Sequence, residues 1–214
     1  MRLYSYVVAR DFGFAPNPFF GVCTLCTCKP QIRARAAVGD WIIGTGSKSR
    51  GRQGCLVFAM EVCETLSYDE YWVDARFRVK RPNLRGSLKQ AFGDNIYHRD
   101  PQTGDWRMLN SHHSLHDGSP NPTNVGRDTR YPRVLVATNF TYWGGSGPAV
   151  PGRFRNYEGK DVVQQTQGHR CGFSPTLVDT FVAWLSTFER GYLGEPLEWT
   201  EGRALRRRSA GKLP

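Results

Sequence analysis

Gly39-Asp40-Trp41-Ile42-Ile43-Gly44 and, eleven positions on, Cys55-Leu56-Val57-Phe58-Ala59-Met60-Glu61-Val62 are the stretches that decide the fold. The first reads as a turn entering a strand, the second as a strand. Both are short, rich in β-branched or aromatic residues and flanked by glycine. The residues between them, 45–54, form a Gly-rich basic loop, so 40–62 is a hairpin with Lys48, Arg50 and Arg52 at its tip.

Outward from the hairpin, residues 3–9 suit a first strand rather than a secretion signal, having no small-residue cleavage site. Residues 11–21 carry prolines, glycines and four phenylalanines, which predicts a rigid loop that tucks into the core or lines a pocket. Residues 24–37 read as a short helix broken near Pro30. Ser67, with Glu70 three residues on, predicts a capped helix start. Residues 93–124 are long and irregular, 133–140 is a buried strand, and Ser174-Pro175 opens an amphipathic helix bearing Leu177, Phe181, Trp184, Leu185 and Phe188.

The chain has 214 residues, 39% apolar and 22% charged, with 23 glycines, 13 prolines and 13% aromatics. That supports one α+β domain over 1–201, with a basic disordered tail at 202–214. The predicted architecture is a curved, mostly antiparallel sheet or partly closed barrel with flanking helices. Lys and Arg outnumber Asp and Glu by 29 to 19, a formal charge of +10 that favours polyanions. Apolar runs fall far short of the ~20 residues of a membrane span. Six cysteines without an export signal read as reduced thiols in a cytoplasm.

No motif names a reaction. Gly44-Thr45-Gly46-Ser47-Lys48-Ser49 lacks phosphate-loop spacing, although its amides and cations suit phosphate contact. Cys23-x-x-Cys26-x-Cys28 has no second cysteine pair to complete a zinc site; small buried thiols are expected, with no metal and no cofactor. Ser111-His112-His113-Ser114 can hold an acid–base histidine or merely cap backbone. Trp41, Tyr71, Trp72, Tyr97, Phe140, Tyr142 and Trp143 stand near Gly, Asp or Asn, as a pocket for a flipped base requires, though core filling claims some of them.

The run Asp11-Phe12-Gly13-Phe14-Ala15-Pro16-Asn17-Pro18-Phe19, then Cys23-Thr24-Leu25, Cys28-Lys29-Pro30, Ile32-Arg33 and Gly39-Asp40-Trp41-Ile42, resembles the nucleotide-modification-associated domain, type 2. Tyr71-Trp72, Arg76-Phe77, Gly93-Asp94-Asn95-Ile96-Tyr97, Ser111-His112-His113-Ser114 and Phe140-Tyr142-Trp143-Gly144 extend the likeness over residues 1–150. Cys26, where a small residue such as Ala is expected, and the Arg-rich tail depart from it. The resemblance implies phage or bacterial systems that modify DNA bases. A more distant similarity to PUA-like domains (EVE, YTH, ASCH) implies a pocket for an extruded modified base.

The expected function is therefore binding of a modified nucleobase in DNA. Its pocket would comprise Asp11, Asn17, Phe19, Asp40, Trp41, Ser47, Asn95 and Tyr97. Lys29, Arg33, Lys48, Arg50, Arg52, Arg206, Arg207 and Arg208 would hold phosphates. The alternative is a hydrolase or transferase acting on a modified base or nucleotide, with His112 or His113 as acid–base and Asp94 as its partner. A third reading is an adaptor in a phage or defence complex that uses charge alone.

Overall fold

The computed structural model describes residues 1–199; Arg206, Arg207, Arg208 and the rest of the predicted tail lie outside the described residues. In chain order come β1 (Leu3–Val8), β2 (Cys23–Leu25), α1 (Pro30–Arg35), β3 (Trp41–Gly46), β4 (Leu56–Glu61), β5 (Glu64–Ser67) and α2 (Tyr68–Val73). Then follow α3 (Leu88–Ala91), β6 (Tyr97–Arg99), β7 (Trp106–Met108), α4 (Pro122–Thr129), β8 (Arg133–Ala137), β9 (Phe140–Tyr142), β10 (His169–Arg170), α5 (Pro175–Leu185) and β11 (Gly191–Tyr192).

The hairpin predicted at 40–62 is present: β3 and β4 pair antiparallel, with a register shift between Gly44 and Thr45. They form the centre of a six-stranded sheet ordered β10-β1-β3-β4-β9-β11. Strands β2-β8-β5 make a second sheet, and β6-β7 a separate ribbon. Pairing is mostly antiparallel, but β1 runs parallel to β3 and β11 parallel to β9. Among the described residues no barrel closes. The two-residue strands β10 and β11 end opposite edges of the large sheet, whereas a barrel needs its first and last strands bonded to each other.

Strand alternation sorts the core into layers. Tyr4, Tyr6, Val8, Ile42, Phe58 and Met60 face the second sheet and meet Cys23, Leu25, Leu135 and Ala137 there. Leu3, Trp41, Ile43, Leu56 and Ala59 point the other way, onto Leu177, Val178, Phe181 and Leu185 of α5. Across the second sheet, Cys26, Val134 and Val136 pack against Tyr68, Tyr71, Phe77, Ile96 and Tyr97. Helix, sheet, sheet and an outer layer of α2 with the ribbon thus stack in order. Both central strands are covered on both faces, which explains their unbroken apolar runs.

Local signals at helix starts held. Ser67 and Glu70 form the expected capping box on α2, and Pro175 opens α5, although the Ser174 hydroxyl makes no capping bond. Two expectations need correction. The predicted helix at 24–37 begins only at Pro30, because residues 23–25 pair with β8 and proline suits the first helical turn. The strand predicted at 133–140 divides into β8 and β9, which serve different sheets.

Trp41 is 2% exposed beneath α5. Trp41→Ala should therefore lower stability by about 3–5 kcal/mol in urea denaturation, the usual loss for a large core ring; a change under about 1 kcal/mol would contradict the packing.

Candidate active site

The turn from β2 into α1 is sharp. Cys28 and Lys29 both take positive φ, 57° and 39°, although neither is glycine. Such conformations cost free energy and concentrate at functional sites. Two buried groups hold the turn. The Arg33 guanidinium, 0% exposed, donates to the Cys28 carbonyl (2.8 Å), the Asp128 carbonyl (2.8 Å), the Arg133 carbonyl (2.9 Å) and the Tyr131 carbonyl. The Asp128 carboxylate, carried on α4, accepts the Cys28 amide at 3.0 Å.

Asp128 also orients a histidine. His113 Nδ1 lies 3.0 Å from Asp128 Oδ2, and His113 Nε2 lies 3.5 Å from the Cys28 sulfur. Asn124 fixes the histidine backbone by donating to its carbonyl at 2.8 Å. Tyr97 (3.2 Å) and Arg127 (3.1 Å) donate to the remaining sites on Asp128. Thiol, imidazole and carboxylate therefore form a hydrogen-bonded line. One sulfur, one ring nitrogen and one carboxylate oxygen here lie within 4.8 Å of one another, the spacing of a metal-ligand set. Yet His113 turns opposite nitrogens to Cys28 and Asp128, so the donors run in sequence instead of converging on one point.

Burial pulls the His113 pKa down, but its bonds to Asp128 and Cys28 reverse this and leave it at about 9. Burial likewise raises Asp128, and its hydrogen bonds from His113 and Arg127 bring it below the ordinary carboxylate value. Near neutrality the line thus holds an imidazolium beside a carboxylate. Its neighbour His112 behaves oppositely. Desolvation, then the charges of His113 and Arg10, push its pKa down to about 4, so it stays neutral.

Cys28 lies between two cavities. One, of about 390 Å³, is lined by Arg10, Lys29, Gln31, Arg127, Gln167 and His169, with no Asp or Glu in its wall. Lys29 Nζ sits 4.4 Å over the Tyr6 ring, and burial, only partly offset by Cys28, lowers its pKa. The other cavity, of about 330 Å³, is lined by Arg10, Phe12, Phe14, Cys28, His112 and His113. A cationic hollow and an aromatic one thus meet at the sulfur.

Of the residues singled out in the sequence, Cys28, Lys29, His112 and His113 come together here. Arg33 and the Tyr97 hydroxyl brace them from behind, and the rest lie elsewhere. Asp94, proposed as the histidine's partner, is 0% exposed and accepts Thr24 (2.7 Å) and Tyr71 (2.8 Å) hydroxyls. Burial raises its pKa to about 6, with buried Lys80 opposing. Asn17 Oδ1 accepts the Lys80 ammonium at 2.7 Å, and Asn95 Nδ2 donates to the Tyr71 carbonyl at 3.0 Å. Asp11 accepts the Tyr142 hydroxyl and the Leu197 amide. Asp40 caps the Arg2 and Ala37 amides, Phe19 stacks on Trp199, and Ser47 bonds the Ser49 hydroxyl. Tyr97 stacks on Tyr68 in the core and reaches the site only through its hydroxyl. Arg33, read as a phosphate ligand, spends its donors on carbonyls. At the hairpin tip Lys48 is exposed, Arg50 pairs with Glu198 at 3.1 Å and Arg52 donates to the Gly147 carbonyl at 2.7 Å. Cys23 and Cys26 fall in different core layers, and among the described residues Cys28 groups with His113 and Asp128 instead.

Asp128, Arg127, Arg10 and Phe14 were not anticipated as site residues. Asp128 has no signature at all, being one acid in a polar helix. Arg10 was visible only as composition, and Phe12 and Phe14 only as members of a loop expected to enter the core or line a pocket.

Fold and site define an α+β protein with a partly buried Cys–His–Asp line, anchored on a buried carboxylate, at a cationic hollow. The chain belongs to the nucleotide modification associated domain 2 family, whose model matches residues 1–203. No curated protein and no solved structure matches it. Membership sets the chain in a nucleotide-modification context. No described helix is long and apolar enough to cross a membrane.

The ion pair has a pH signature. Because the His113 pKa of about 9 exceeds the ordinary value of about 6.5, its stabilisation is full below about pH 6.5 and lost as pH rises through about 9. Wild-type Tm should fall across that window, and His113→Asn should flatten the fall. Equal slopes in thermal melts would contradict the pairing.

Proposed function

We propose that this protein is a thiol-dependent enzyme of nucleotide modification, a hydrolase or transferase acting on a modified base or nucleotide. The observation that carries this is the Cys28–His113–Asp128 line. Cys28 is the nucleophile, His113 the acid–base and Asp128 the group that fixes the ring and balances its charge. In an acyl transfer the Cys28 sulfur, deprotonated beside the His113 imidazolium, attacks the carbonyl carbon, and the His113 Nε2 proton goes to the departing amine or hydroxyl. Water or an acceptor then attacks the thioester, returns a proton to His113 and frees the sulfur.

Arg10, Lys29 and Arg127 support an anionic substrate, because the hollow they line carries no acid. Phosphate oxygens are the matching ligand. Recognition of a modified base in DNA, the function first read from the sequence, is the second reading. Its support is the aromatic wall of Phe12, Phe14 and His112 beside the thiol, in place of Trp41 and Tyr97. Binding by such a wall would precede chemistry.

Iodoacetamide tests the nucleophile without a known substrate. At about pH 7, Cys28 should react at least about tenfold faster than Cys63, the exposed thiol, and His113→Ala should abolish the advantage. Equal rates in the wild type would remove Cys28 from this role. For the phosphate hollow, Arg10→Ala with Lys29→Ala should reduce the slope of log Kd against log salt, measured on duplex DNA, by about 1.8. An unchanged slope would put the phosphates elsewhere.

A further inference from the structure

Behind His112 lies a third cavity, of about 220 Å³, that the thiol chemistry does not use. Its wall includes Phe12, Ala91, Phe92, Ser111, His112 and Trp199, with the Glu198 carboxylate, paired to Arg50, at its edge. The rings are close to parallel. Phe12 and Phe92 stack at 5.3 Å and 22°, and Phe92 and Trp199 at 6.3 Å and 23°. The Trp199 indole donates to the Phe12 carbonyl at 2.9 Å, which ties the two outer rings together. Phe12 and His112 belong also to the cavity at Cys28, so the slot and the thiol share one wall.

We infer that this slot is a binding site for an uncharged planar heteroaromatic ring of the nucleobase class. Flat faces set side by side stack on any heterocycle, whereas a flexible apolar chain gains nothing from their alignment. Phe12, Phe92 and Trp199 already stack on one another, so the ligand ring is placed against the open side of this stack, in the cavity of about 220 Å³, and not between two of its members. The polar end carries the remaining specificity. Ser111 offers a hydroxyl, and His112, neutral at physiological pH, both donates and accepts. The inference deepens the enzyme reading by naming what the substrate presents next to the thiol: a ring in the slot, with the cationic hollow on the far side of Cys28 left for its phosphate.

The test is calorimetric titration of Cys28→Ser protein with thymidine and with adenosine, in the presence and absence of inorganic phosphate. Saturable nucleoside binding that phosphate does not displace is expected. Phe92→Ala should weaken it at least about tenfold. Ala91→Leu, which narrows the slot without removing a core side chain, should weaken it similarly, and circular dichroism and Tm confirm that each variant folds. No saturable binding of either nucleoside, displacement by phosphate, or binding indifferent to both variants would overturn the slot. The iodoacetamide rates are measured separately. A fast Cys28 without nucleoside binding rejects the slot and keeps the thiol, and the converse rejects the thiol and keeps the slot.

Discussion

The Asp128 carboxylate is the group on which the cleft depends. It is 0% exposed, and a bare charge there would cost several kcal/mol in desolvation. Donors from three separate segments meet that cost: the Cys28 amide, the His113 ring and the Tyr97 hydroxyl, with Arg127 beside it on α4. The same interaction that satisfies the charge therefore sets the distance from sulfur to imidazole. Arg33 reinforces the arrangement from below by tying the backbone of Cys28 to that of Asp128. Chain that is 100 residues apart in sequence is fixed at hydrogen-bond precision, and the left-handed turn at Cys28 and Lys29 is held despite its intrinsic cost.

A second polar network shows the contrast between support and chemistry. Lys80 is 0% exposed and gives its ammonium to the Asn17 carbonyl, Asn17 Oδ1 and the Val22 carbonyl. Asp94, nearby, is held by Thr24 and Tyr71. Every donor and acceptor in these bonds is directed at protein. None lines any of the three cavities around Cys28 and His112. The network anchors the aromatic loop at 11–19 to the layer beneath, where Phe12 and the buried Phe14 border the cleft. Conspicuous polar residues in the sequence thus went into the scaffold, and the less conspicuous phenylalanines into the cavity walls.

Local chemistry made much of the fold legible. Short runs rich in β-branched and aromatic residues placed β1, β3 and β4, with glycine flanking the last two. Ser67 with Glu70, and Pro175, placed two helix starts, because capping acts within a few residues. Short strands such as β2, β10 and β11 carry too few residues for a period to register, and the assignment of neighbouring strands β8 and β9 to different sheets leaves no local trace. For the site, Lys29 and the histidine pair were legible as types able to do chemistry. Their partners were not, since a carboxylate in α4 looks like any solvated helix residue until the chain folds.

The sequence by itself determined an α+β protein with a central hairpin, an excess of cations and a likeness to nucleotide-modification domains. These follow from periodicity, turn chemistry and composition, all of which act along the chain. Tertiary structure alone decided that Trp41, Asp94 and Arg33 are interior supports, that Cys28, His113 and Asp128 form one line, and that cationic and aromatic hollows flank the sulfur. Such outcomes depend on which distant groups must share a desolvated space, and that is settled only when the sheets pack.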